Sequence, residues 1–198
     1  MKKKISLLLC CLIFVFLSSC SENEVKLPFD KEARMKKIQS IILDKALKEN
    51  NLEVSKEELN YVKEDDEYEY TAYIERGSNS VIEVFVLVQD NVHNEDISRF
   101  SVSIINEKCQ KNAILNYADL ELFCDLVNSI SYKSISESQV KTFLSNDKYI
   151  YSEHDDGAIY KNQSLDFFDT YFFEYSYEPA NSGYEEFSFC GNKFKSVD

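Results

Sequence analysis

The chain has 198 residues and 35 acidic against 22 basic side chains, a formal net charge of −13. That length suits one sizeable domain or two small packed ones. The acidity repels nucleic acid and anionic lipid head groups, so no nucleic-acid role is expected and a basic face suits a protein partner. With 14 Phe and 13 Tyr against four Gly and two Pro, the composition excludes a disordered chain and favours strands.

The chain opens on Lys2, Lys3 and Lys4, followed by an uncharged run at 5–17. As a helix this run rises about 20 Å, against a hydrocarbon core of about 30 Å. It is too short to span and has the length of a secretory signal core. It ends Leu17-Ser18-Ser19-Cys20. These residues resemble the lipobox of bacterial lipoproteins. The resemblance covers residues 1–20 only. It implies diacylglyceryl transfer to the Cys20 thiol, cleavage before Cys20, and attachment to the cell membrane or outer membrane, facing outside the cytoplasm. Two or three acyl chains anchor stably, each buried methylene adding about 0.8 kcal/mol. The alternative is an ordinary signal peptide that ends on a cysteine by chance. On the lipoprotein reading residues 1–19 are the signal peptide, 20–29 a tether, and 30–198 one α+β globular domain. Residues 20–198 keep 19 basic and 35 acidic side chains, net −16.

Asp30 can cap a helix running to about Asn50, with Met35, Ile38, Ile42 and Ala46 on an apolar stripe beside Ile41. This helix, the one region not strongly acidic, is expected to pack on the body; anionic lipid is the other surface it could meet. Residues 51–67 are ambiguous. Ser55 and Glu58 match a capping box, yet the segment also reads as a strand and an acidic turn. Strands are predicted at 68–76, at 80–88 and at 97–105, the second central. Connections are short, which makes the pairing antiparallel. A helical stripe follows at Ile114, Leu115, Ala118, Leu122, Leu126 and Ile130, its start at Asn112 or Asn116. Ser136 and Gln139 then form a capping box, with Ile135 and Val140 as the staple of a helix to about Leu144. Strands return near 148–153, 158–161, 167–178 and 183–190, the last pair joined by a turn at 179–182. This order predicts an α+β fold of antiparallel sheets with covering helices. It suggests two similar helix-plus-sheet halves, 30–106 and 107–198. The layout resembles tandem helix-plus-sheet inhibitor lipoproteins and cystatin-like folds, at the level of element order alone.

Cys10 and Cys11 leave with the signal, and Cys109, Cys124 and Cys190 remain, an odd number with no C-x-x-C. A disulfide between Cys109 and Cys190 is open, and Cys124 reads as a buried small hydrophobe. Glu153, His154, Asp155 and Asp156 group hard-cation ligands before Gly157. Their spacing matches no EF-hand and also reads as a polar hairpin turn. His93 and His154 lie in no acid–base motif, and no G-x-S-x-G elbow or Gly-rich phosphate loop is present. On residues 167–178, Phe167, Tyr171, Phe173, Tyr175 and Tyr177 share one side. Phe168 and Phe172 share the other with Glu174 and Ser176, and Phe187 and Phe189 extend the aromatic supply. A face left uncovered there would be a partner-binding patch, with Phe168, Phe172, Phe187 and Phe189 as candidates. The expected function is therefore a membrane-anchored, non-catalytic, protein-binding module of immunity or inhibitor type, without cofactor. The alternative is a cell-envelope enzyme or cation-binding factor using the turn at 153–156.

Overall fold

The computed structural model describes residues 31–65, 67–89, 96–116, 119–181 and 183–193. The signal peptide, Cys20, the tether, Asp30, His93 and Ala118 lie outside the described residues. Among the described residues, one eight-stranded antiparallel sheet is joined by three α-helices. The fold is mixed α+β and mostly sheet.

Helix α1 (Lys31–Ile41) runs into a π-helical turn (Ile42–Leu47). Met35, Ile38, Ile42 and Leu47 are buried. The predicted stripe continues from Ile42 to Ala46. The π turn brings Leu47 to the core, five residues after Ile42, in keeping with i→i+5 bonding. The ambiguous segment resolves as edge strand β1 (Lys56–Val62). Ser55 caps no helix. Its hydroxyl donates to the Tyr73 carbonyl at 2.8 Å and accepts the Glu75 N–H at 3.2 Å, tying the start of β1 to its neighbour.

Strands β2 (Glu67–Glu75), β3 (Ser80–Gln89) and β4 (Asp96–Asn106) follow in meander order. A 3-10 turn (Ala113–Asn116) and α2 (Leu120–Ile130) replace the single predicted helix. Helix α3 (Glu137–Ser145) starts at the expected capping box, where the Ser136 N–H donates to Gln139 Oε1 at 2.9 Å, and Ile135 and Val140 are buried. The last strands are β5 (Ile150–Glu153), β6 (Ile159–Ser164), β7 (Tyr171–Glu178) and β8 (Tyr184–Lys193). Their spatial order is β1-β2-β3-β4-β8-β7-β6-β5. The expectation of more than one sheet is corrected here, because β4 and β8 pair and fuse the two runs of four strands.

All three helices pack on one face. The core they form takes Tyr70, Ala72 and Ile74 from β2, Ile82, Val84, Val86 and Val88 from β3, and Phe100, Val102 and Ile104 from β4. It continues through Tyr171, Phe173 and Tyr175 of β7 and Phe187 and Phe189 of β8. Alternation along each strand sends the intervening residues to the opposite face. No described helix covers that face.

A buried carboxylate locks the second run to the core. Glu185 accepts the Asn112 and Ile114 N–H groups at 2.7 and 2.9 Å and the Tyr175 hydroxyl at 2.8 Å. Buried Lys161 likewise donates to the last-turn carbonyl of Leu144 at 2.6 Å, closing the C-terminal end of α3.

Candidate functional site

The helix-free face is built by strand register. One transverse row reads Lys56, Tyr73, Glu83, Ser103, Ser188, Glu174, Asn162 across seven strands. The adjacent row reads Thr71, Phe85, Ser101, Cys190, Phe172, Ser164. The middle of the face is thus a low trough of small side chains. Ser103 and Ser188 share a hydrogen bond of 2.8 Å there. Half-buried Phe85 and Phe172 stand on either side of it.

Carboxylates dominate the rest. Glu186 Oε2 accepts the Tyr184 hydroxyl at 3.0 Å, and its Oε1 accepts the Ser188 hydroxyl at 3.1 Å. Burial holds the Glu83 carboxyl above its ordinary pKa, and the charge of Glu186 adds to the effect. No described cation pairs with Glu83 or Glu186. Arg99 pairs with Glu174 at 3.3 Å, and Lys56 pairs with Glu58 while lying over the Tyr73 ring. At the end of the face, Tyr73, Val81 and Ile105 floor a cleft of about 580 Å³ against the β2–β3 turn.

The sequence-predicted residues separate. Phe172 is half-buried on the helix-free face, as its alternation implied. Phe187 and Phe189 are fully buried under the helices, which corrects their place among the partner-binding candidates. Their register sets them opposite Tyr175 and Phe173, and Phe187 meets Phe123 at 5.4 Å between ring centres. Phe168 and Phe167 lie before the start of β7, in the β6–β7 loop, 83 and 92 % exposed. The strand predicted from 167 therefore begins four residues later.

Glu153, His154, Asp155 and Asp156 form the exposed β5–β6 hairpin. The His154 carbonyl and the Asp156 side chain serve the turn itself. The Gly157 N–H donates to the His154 carbonyl at 2.9 Å, and the Ala158 N–H donates to Asp156 Oδ1 at 3.0 Å. Among the described residues, no three His, Cys, Asp or Glu side chains are grouped to hold a metal ion. The three described cysteines are free, so the Cys109–Cys190 bridge does not form. Burial pushes the Cys124 and Cys190 thiols up to about 12, and it raises Cys109 as well. Thiolate nucleophiles are disfavoured at all three positions.

Reading the sequence for motifs missed Glu83, Phe85, Ser103, Ser188 and Glu186. Their signal is a charged or small side chain on alternate positions of otherwise apolar strands. No helix of the described residues is long and apolar enough to cross a membrane. No protein-family model, curated protein or solved structure matches this chain.

Proposed function

We propose that the chain is an extracytoplasmic lipoprotein, held to the membrane through lipid on Cys20, whose body binds a basic protein partner on the helix-free face of its sheet. The reading is of a non-catalytic immunity- or inhibitor-type module, acting without cofactor or nucleic acid. The observation that carries it is the asymmetry of the sheet: helices bury one face, and the other offers half-buried Phe85 and Phe172 among Glu83, Glu174 and Glu186. Aromatic side chains around a small-residue trough supply contact area, and the carboxylates of Glu83 and Glu186, which pair with no described cation, favour a cationic surface.

The reading also takes the two halves as versions of one helix-plus-meander unit. Support comes from the transverse row, where Glu83-Ser103 and Ser188-Glu174 repeat in mirror order across the β4–β8 junction.

Two measurements test it. Radiolabelled palmitate should enter the protein, and Cys20→Ser should abolish both labelling and membrane attachment; an unlabelled but still attached protein removes the anchor. A photo-crosslinking amino acid at Phe85 or Phe172 should give one discrete protein adduct that weakens as salt rises. The same group at Glu121 or Thr142, on the helices, should give none. Adducts from the helix positions alone would move the binding surface to the other side.

A further inference from the structure

The β6–β7 loop presents Phe167 and Phe168 edge to face, ring centres 5.3 Å apart, with almost all of both side chains in solvent. The loop is braced. The Leu165 N–H donates to the Tyr171 carbonyl at 2.8 Å, the Ser164 hydroxyl to the Asp166 carbonyl at 2.7 Å, and the Thr170 N–H to Asp166 Oδ1 at 2.8 Å. Its bonds hold the rings outward, although the core begins again nearby, at Tyr171. Two adjacent phenylalanines in water are the largest apolar exposure among the described residues and mark a contact site.

We propose that Phe167 and Phe168 insert into the membrane interface as a second, shallow contact beside the Cys20 lipid. The proposal rests on the anchored reading above. From Cys20 to Lys31 the chain reaches at most roughly 40 Å. A body of this size has a radius of gyration of roughly 15 Å, so its surface stays within reach of the bilayer. A protruding aromatic wedge matches the interface, where rings sit at head-group level. The backbone that carries it has several of its polar groups bonded within the loop, which lowers the cost of leaving water. Asp166 and Asp169 flank the rings, so zwitterionic head groups are favoured and anionic ones opposed. This contact sets the β6–β7 end of the sheet against the bilayer. The helix-free face then stands to the side, with the cleft at the β2–β3 turn pointing away.

The chain has no tryptophan, so Phe168→Trp in the full lipidated protein reports one site. In phosphatidylcholine vesicles with brominated acyl chains its emission should shift to the blue and be quenched. Part-replacement by phosphatidylglycerol should reduce the quenching, and salt should restore it. Ser78→Trp, in the β2–β3 turn at the opposite end of the strands, should remain unquenched. Phe167→Ser added to Phe168→Trp should lower the quenching. A Phe168→Trp protein that floats with the vesicles while its indole stays unquenched overturns the inference and leaves the anchor standing, with a partner's pocket then the occupant. A protein that does not float overturns the anchor, and this contact with it.

Discussion

Replacing Glu185 by alanine removes the acceptor that ties the chain leaving β4 to the last strand. The carboxylate is fully buried and receives two backbone N–H groups and the Tyr175 hydroxyl within 2.9 Å. Alanine leaves these donors facing a void. Each stranded buried donor costs about 1–3 kcal/mol, which gives roughly 3–9 kcal/mol for the set. The native charge offsets part of this. Burial is the largest influence on its acidity and holds its pKa above 4.5, so the wild-type protein already bears a desolvation cost that alanine abolishes. The net expectation is a loss of about 3–5 kcal/mol, a large share of the roughly 5–15 kcal/mol of an ordinary domain. Glu185→Gln keeps one acceptor oxygen and should lose about half as much. Urea unfolding at neutral pH reads both variants as a lower midpoint at unchanged slope. A loss below about 1 kcal/mol in the alanine variant would show that the donors find other partners, and would refute the reasoning.

Stability should rise on mild acidification. Burial raises the pKa of Glu83 and of Glu185 above 4.5, so the folded state holds these protons more tightly than the unfolded chain. Their contribution therefore falls as pH rises through the folded values and recovers as pH drops toward 4.5. The urea midpoint should increase from neutral pH to about pH 5, and Glu83→Gln should flatten the rise; a midpoint that falls over this range contradicts it. Below 3.8 the trend should reverse, because Arg76 holds the Asp119 carboxyl down and that pairing is lost on protonation. Gly183→Ala should prevent cooperative folding, since at φ +83° its Cβ would lie 1.8 Å from the Cys109 carbonyl oxygen. Gly77→Ala, at φ +119° with open space around it, should cost only about 1–3 kcal/mol in a thermal melt.

Much of the fold was legible because its signals are local. The capping box at Ser136 and Gln139 and the alternation of β2, β3 and β4 need only a few neighbouring residues to act. Failures arose where distant contacts decide. Ser55 and Glu58 have the spacing of a helix cap, but Ser55 finds Tyr73 across a strand pair instead. The π turn in the first helix has no local marker, and it is favoured because Leu47 thereby reaches the core. Phe167 continues the parity of Tyr171 and Phe173 on paper. The Asp166 side chain, accepting from the Thr170 N–H, breaks that parity by closing a turn.

The candidate face was half legible for a related reason. Alternation divides a strand into two sets but does not say which set meets the helices. Composition does: Ile82, Val84, Val86 and Val88 are uniformly apolar, whereas Val81, Glu83, Phe85 and Leu87 include a carboxylate that a core would have to pair. The same test separates Phe173 and Tyr175 from Glu174 and Ser176 on β7, but on β8 it does not decide, because Glu185 shares a side with Phe187 and Phe189 while Glu186 lies on the other. Sorting aromatics by abundance puts Phe187 and Phe189 on the wrong side; their register opposite Tyr175 and Phe173 of β7 puts them in the core. Antiparallel register then sets Glu83, Glu174 and Glu186 on one surface, because a one-residue slip of β3, β7 or β8 would turn one of these carboxylates toward the helices. The acidic face and the aromatic core are thus two consequences of a single registration, and a partner that reads the face reads that registration.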